Sequence, residues 1–114
     1  METVKKILII EDDCTTRTII SDILTQNGYV VESSMLLREA AALLDTKPFD
    51  LIISDIGLPD GNGLDFCGQH RHTPFISMSA SDSAGAAIAG GAVAFFEKPF
   101  NIEDMLAAVK RCIG

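Results

Sequence analysis

Short apolar runs alternate with helix-like segments along the whole chain, and most of the runs stop at a charged or turn-forming residue. Ile7-Leu8-Ile9-Ile10 ends in Glu11-Asp12-Asp13. Leu51-Ile52-Ile53-Ser54 ends in Asp55 and then meets Gly57, Pro59, Gly61 and Gly63. Phe75-Ile76-Ser77-Met78 follows Pro74 and leads to Ser79-Ala80, and Ala94-Phe95-Phe96-Glu97 ends in Lys98-Pro99. Runs this short, rich in β-branched and aromatic residues and bounded by turn signals, read as buried strands. Tyr29-Val30-Val31 is a further short strand.

Between the runs the apolar period changes to that of a helix. Residues 14–27 carry Ile19, Ile20, Ile23 and Leu24 on one face and stop at Asn27-Gly28. Ser34 is a capping residue for a second helix from Met35 to about Asp45, with Leu36, Leu37, Ala40, Leu43 and Leu44 as its apolar side and Lys47-Pro48 as its breaker. Asn62 to about Gln69 gives a short third helix. Asn101 caps a last one, with Ile102, Met105, Leu106, Val109 and Ile113 turned inward. Five strands alternating with helices imply βαβ units, a parallel sheet and helices on both faces. A chain of 114 residues has room for one such domain, spanning 1–114. The expected architecture is a flavodoxin-like (βα)5 doubly wound parallel sheet of strand order 2-1-3-4-5.

The fourth helix is the weak member. Its sequence, residues 81–91, is SDSAGAAIAGG. Each glycine inside a helix costs roughly 1 kcal/mol against alanine, and an alanine face returns little on packing. A short, frayed or mobile element is expected there.

Bulk properties narrow the function classes. Hydrophobic content of 47% argues for a compact domain, and no apolar run approaches a membrane span. The N-terminus lacks the apolar core and cleavage site of a signal peptide, so a cytoplasmic location is expected. Cys14, Cys67 and Cys112 are odd in number and widely spaced, which fits free thiols rather than a disulfide framework or a CxxC metal site. A formal net charge of −7 disfavours direct nucleic-acid binding and suits contacts with basic patches on protein partners.

In the expected strand order the first and third strands are neighbours at the topological switch point, where ligands bind beyond the strand ends. Glu11, Asp12 and Asp55 fall there, with Lys98 close by. Such a group of carboxylates asks for a divalent cation and for chemistry on a phosphoryl group.

Four motifs in order at these strand ends carry a family resemblance: Glu11-Asp12; Asp55 with Pro59 and Gly63 after it; Ser79-Ala80; and Lys98-Pro99-Phe100. On them the chain resembles, over its whole length, the receiver domains of two-component response regulators (CheY-like). The resemblance implies that Asp55 takes a phosphoryl group from a histidine kinase or a histidine phosphotransfer protein. It implies Mg²⁺ held by Asp12, Asp55, the backbone carbonyl of Gly57 and, mostly through water, Glu11. Lys98 and Ser79 would meet phosphoryl oxygens, and Phe95 would follow the switch. Ala80 would flank the site, and Pro99 is a candidate for a cis turn. Output would pass through the fourth helix, fifth strand and fifth helix to a downstream protein target or attached domain, with no membrane and no direct nucleic-acid contact. Such a domain catalyses only its own phosphorylation and dephosphorylation.

Simpler readings stand beside these. Asp13 reads as a helix cap before a metal ligand. Phe95 can be core as well as switch. Residues 61–66 fall one residue short of a GxGxxG phosphate loop and follow the third strand, so they read as a turn and helix entry. His70 and His72 lack acid or cysteine partners at ligand spacing and read as solvent-exposed.

The chain departs from the family in one place: Lys98 follows Ser79 by only 19 positions, and the loss falls in the glycine-rich fourth helix. The switch is therefore expected to order this segment rather than shift a formed helix. The small Gly57 and Ala80 leave water access and suggest a short-lived phosphoryl state. Two other classes of protein place an aspartate in a similar setting. An aspartyl phosphohydrolase of the haloacid-dehalogenase type needs a DxDx(T/V) motif on its first strand, which Glu11-Asp12-Asp13-Cys14-Thr15 does not supply. A pseudo-receiver, an interaction module without phosphorylation, is the alternative reading.

Overall fold

The computed structural model describes residues 4–114. Its elements are β1 (Lys6–Ile10), α1 (Cys14–Gln26), β2 (Val30–Ser34), α2 (Leu37–Thr46), β3 (Leu51–Asp55), β4 (Gly57–Leu58), β5 (Gly61–Asn62), α3 (Gly63–Gly68), β6 (Phe75–Ser79), α4 (Ala84–Ala89), β7 (Ala94–Glu97) and α5 (Ile102–Ile113). The main sheet runs β2-β1-β3-β6-β7, and every pair in it is parallel. This is the expected 2-1-3-4-5 order of the five long strands. No described helix is long and apolar enough to cross a membrane.

Alternation along the strands divides the core in two. Ile7, Ile9, Ile53, Ile76 and Met78 point to the side of α1 and α5, where Ile20, Leu24, Met105 and Val109 cover them. Leu8, Ile10 and Ile52 point the other way, against Leu37 and Ala40 of α2, Phe66 and Cys67 of α3, and Ala87 of α4. All residues of β3 and β6 are buried. Truncating one of their isoleucines to alanine would cost about 2–5 kcal/mol.

The caps that the sequence marks for α1 and α5 form. Asp13 accepts from the Thr16 amide at 2.8 Å, and Asn101 accepts from the Glu103 amide at 2.8 Å. Gly28, at φ 90°, turns the chain out of α1 in the left-handed region that favours glycine.

Three expectations are corrected. Ser34 does not cap α2, and the helix starts at Leu37 rather than Met35. Ser34 is still in the sheet, in register with Ile10, and the chain bends at Met35 and Leu36 before the helix begins. Leu36 is the N-cap and offers no side-chain bond. The acceptor comes instead from Asp60, whose carboxylate takes the Leu37 amide at 2.8 Å and the Arg38 amide at 3.1 Å. Ile19 does not face the core but stays 50% exposed, because α5 leaves uncovered the edge of α1 beside Pro99, Phe100 and Ile102. His70 is only half-exposed, and its Nδ1 lies 2.9 Å from the Phe66 carbonyl oxygen.

The loop after β3 holds a two-residue antiparallel hairpin, β4 with β5, that the strand pattern did not announce. α4 is a six-residue helix whose N-cap, Ser83, makes no side-chain capping bond.

Candidate functional site

β1, β3, β6 and β7 end at one edge of the sheet, and each delivers one or two of the residues singled out above. Glu11 follows β1 directly, and its amide still bonds the Ser34 carbonyl at 3.0 Å, so the strand geometry carries it into the interior. It is wholly buried, whereas Asp12 is exposed. Asp55 is the last residue of β3, in register with Met78, and is 8% exposed. Oxygens of Glu11, Asp12 and Asp55 lie within 4.8 Å of one another.

Lys98 closes the cluster. Its amide donates to the Ser79 carbonyl at 2.7 Å, which ties the end of β7 to the end of β6. Its ammonium donates to Asp55 Oδ2 at 2.9 Å and also to Glu11 Oε1. Burial pushes the Glu11 carboxyl above its ordinary range, against the opposing pull of Lys98. Burial would by itself lower the Lys98 pKa, but the hydrogen bonds to Glu11 and Asp55 together outweigh it and raise it. One ammonium faces three carboxylates, so negative charge is left over. Hard oxygen donors in this number suit Mg²⁺, which prefers oxygen ligands and keeps several waters.

The remaining residues line the rim. Gly57 lies two positions after Asp55, in β4, and a side chain there would meet nothing within 4 Å. Ser79 ends β6 and is buried, and Ala80 beside it is exposed. Ser79 Oγ lies 3.2 Å from Ser81 Oγ and accepts from the Ser81 amide at 3.2 Å. Phe95 on β7 is half-buried against the cluster that includes Ala87 of α4. The Lys98–Pro99 peptide is cis.

Three contributors escaped the sequence reading. Arg17 donates from Nη1 to the Glu11 carbonyl at 2.9 Å, one turn into α1, and nothing in the sequence marks it. Ser81 holds the Ser79 hydroxyl, and the run Ser79-Ala80-Ser81-Asp82-Ser83 was the available signal. Asp60 was legible only as part of the turn signature Pro59-Asp60-Gly61.

Comparison with known proteins identifies the family. The chain belongs to the response regulator receiver domain family, whose model matches residues 7–110. Response regulator MprA of Mycolicibacterium vanbaalenii is 34% identical over 112 residues, covering 92% of this chain and 48% of that protein. The chain thus spans about half the length of that relative. Among solved structures, the chemotaxis response regulator CheY4 of Vibrio cholerae is similar at a TM-score of 0.86 and 32% identity, covering 97% of this chain and 100% of that one. The NtrC4 receiver domain is similar at a TM-score of 0.88 and 30% identity, covering 96% of each chain. Receiver domains are the phosphoacceptor switches of two-component signalling, and this chain is one of them.

Proposed function

We propose that Asp55 is the phosphoryl acceptor of this switch and that Lys98, Ser79 and the acidic pair Glu11-Asp12 form its working site. The observation that carries the reading is the Lys98 ammonium shared between buried Glu11 and Asp55 at the end of the sheet, with Asp12 completing the carboxylate group. An Asp55 oxygen would attack the phosphorus of a phosphohistidine on a histidine kinase or histidine phosphotransfer protein. The N–P bond breaks, its electron pair stays on the imidazole, and that ring takes up a proton. Glu11, Asp12, Asp55 and the Gly57 carbonyl would hold Mg²⁺, which when bound neutralises charge on the transferring group.

Afterwards Lys98 keeps its bond to the acceptor by moving to a phosphoryl oxygen. Ser79 donates its hydroxyl to another, while its oxygen stays able to accept from Ser81. The added charge is about −1.5 to −2 by the figure for ordinary phosphoesters. Its effect reaches α4, β7 and α5 through Ser81 and Phe95. Output passes to a protein target or attached domain in the cytoplasm. The NtrC4 receiver domain is beryllofluoride-activated, and beryllofluoride is a tetrahedral mimic of a phosphoryl group, which supports a phosphoryl-driven change here.

The test is covalent labelling. With Mg²⁺ and acetyl phosphate, or a phosphorylated kinase, the intact chain should gain the mass of one phosphoryl group, labile to hydroxylamine. Asp55→Asn should abolish the gain. A folded wild-type chain that never takes the label would instead be a pseudo-receiver.

A further inference from the structure

The loop that carries Gly57 is fastened to the fold at three places. At its far end Gly63 donates to the Ile56 carbonyl at 2.7 Å and packs directly on the Asp55 carbonyl. In its middle the buried Leu58 enters the core beneath α2 and α3. At its tip Asp60 reaches across to α2, where its two carboxylate oxygens take the amides of Leu37 and Arg38 at 2.8 and 3.1 Å. The first two anchors are backbone or apolar contacts. Asp60 is the only side chain among the described hydrogen bonds that joins this loop to α2.

α2 needs that carboxylate. The first amides of a helix have no partner within it, and its N-cap residue ordinarily supplies one. Leu36 holds that position with φ −132° and ψ 149°, suitable for a cap, but has no acceptor. The bond pair therefore does two things at once: it caps α2, and it pins the hairpin tip. β4 pairs Gly57 with Asn62 on either side of that tip, so whatever fixes Asp60 also limits how far Gly57 can swing from the carboxylates.

We infer that Asp60 is a positioning residue for the metal site, holding the Gly57 backbone against Glu11, Asp12 and Asp55 through its clasp on the start of α2. This rests on the proposed Mg²⁺-dependent phosphoacceptor function and adds to it a residue outside the carboxylate cluster. Cutting the clasp should weaken Mg²⁺ binding by about tenfold, the low end of the effect seen for groups that orient metal ligands, because Asp60 acts through a short stretch of backbone.

A purely structural cap would behave differently, and two variants separate the cases. Asp60→Ala removes both roles. Adding Leu36→Ser to it returns a cap to α2 from its own N-cap position, without restoring the tether. Mg²⁺ affinity is read by calorimetry and by the shift of the Gly57 amide resonance, and folding by thermal melting. The expected result is that Asp60→Ala lowers both the melting temperature and Mg²⁺ affinity, and that the double variant recovers the former while affinity stays about tenfold weak. Recovery of affinity together with stability, or unchanged affinity in either folded variant, would overturn the inference while leaving the phosphoacceptor reading intact. A wild-type chain that shows no response to Mg²⁺ would remove both.

Discussion

Lys98 Nζ lies 2.9 Å from Asp55 Oδ2 while it also holds the buried carboxylate of Glu11. Deleting that ammonium leaves two poorly hydrated carboxylates facing each other and Asp12. Lys98→Met, which keeps the length of the stem, should cost roughly 2–3 kcal/mol in metal-free buffer. That is below the usual loss for breaking a fully buried pair, because the lysine keeps some contact with water. Mg²⁺ would neutralise the same carboxylates, so it should raise the melting temperature of the variant more than that of the wild type. Equal Mg²⁺ increments in both chains would contradict the shared-charge account.

Gly63 shows how tightly the acceptor is seated. A Cβ built there would fall 2.0 Å from the Asp55 carbonyl oxygen and 2.8 Å from Ser54 Oγ. The obstacle is backbone, which cannot rotate away, and φ at Gly63 is not in the left-handed region. Gly63→Ala should therefore destabilise the fold by about 3 kcal/mol or more through overpacking, and slow labelling at Asp55. Gly57→Ala is the control, since nothing stands within 4 Å of its Cβ position. Denaturant melts of the two variants that coincide would refute the steric argument.

What was legible in the sequence follows a physical division. Strand order and the carboxylate edge could be read because uninterrupted apolar runs and their terminal residues are local signals. Asp13 and Asn101 could be read as caps because cap and helix lie within three residues of each other. The cap of α2 could not, because Asp60 comes from 23 positions away and Ser34, the nearer candidate, is engaged in the sheet. Ile19 shows the complementary failure. Periodicity places it at the edge of the apolar face, but only the packing of α5 decides whether that edge is covered. The pairing of Lys98 with Glu11 joins residues 87 positions apart, so only the fold, or resemblance to a family, could bring them together.

α4 offers a readout of the switch. It has six residues, no side-chain cap at Ser83 and one buried residue, Ala87, so little burial opposes its opening. Ser81 ties its approach to Ser79 in the resting arrangement. When Ser79 turns its hydroxyl toward a phosphoryl oxygen, the geometry of that tie changes. Amides of residues 81–92 should exchange rapidly in the free chain and be slowed by beryllofluoride with Mg²⁺. Identical exchange in the two states would show that the segment does not report on Asp55.

The clasp of Asp60 on α2 predicts a specific acid response. The Leu37 amide above all, assisted by that of Arg38, holds the Asp60 carboxyl below the usual carboxylate range. A carboxyl with a lowered folded pKa contributes stability in full above its unfolded value, near pH 4, and loses it as pH falls toward and through the folded value. In that interval the unfolded chain takes up the proton first. Asp60→Asn keeps one acceptor oxygen but cannot titrate. Its melting temperature should lie below that of the wild type by a constant amount from pH 7 to about pH 5. The gap should then narrow below about pH 4 as the wild-type carboxyl is protonated. A gap that stays constant down to pH 2.5 would mean that the charge on Asp60 adds nothing to its hold on the helix.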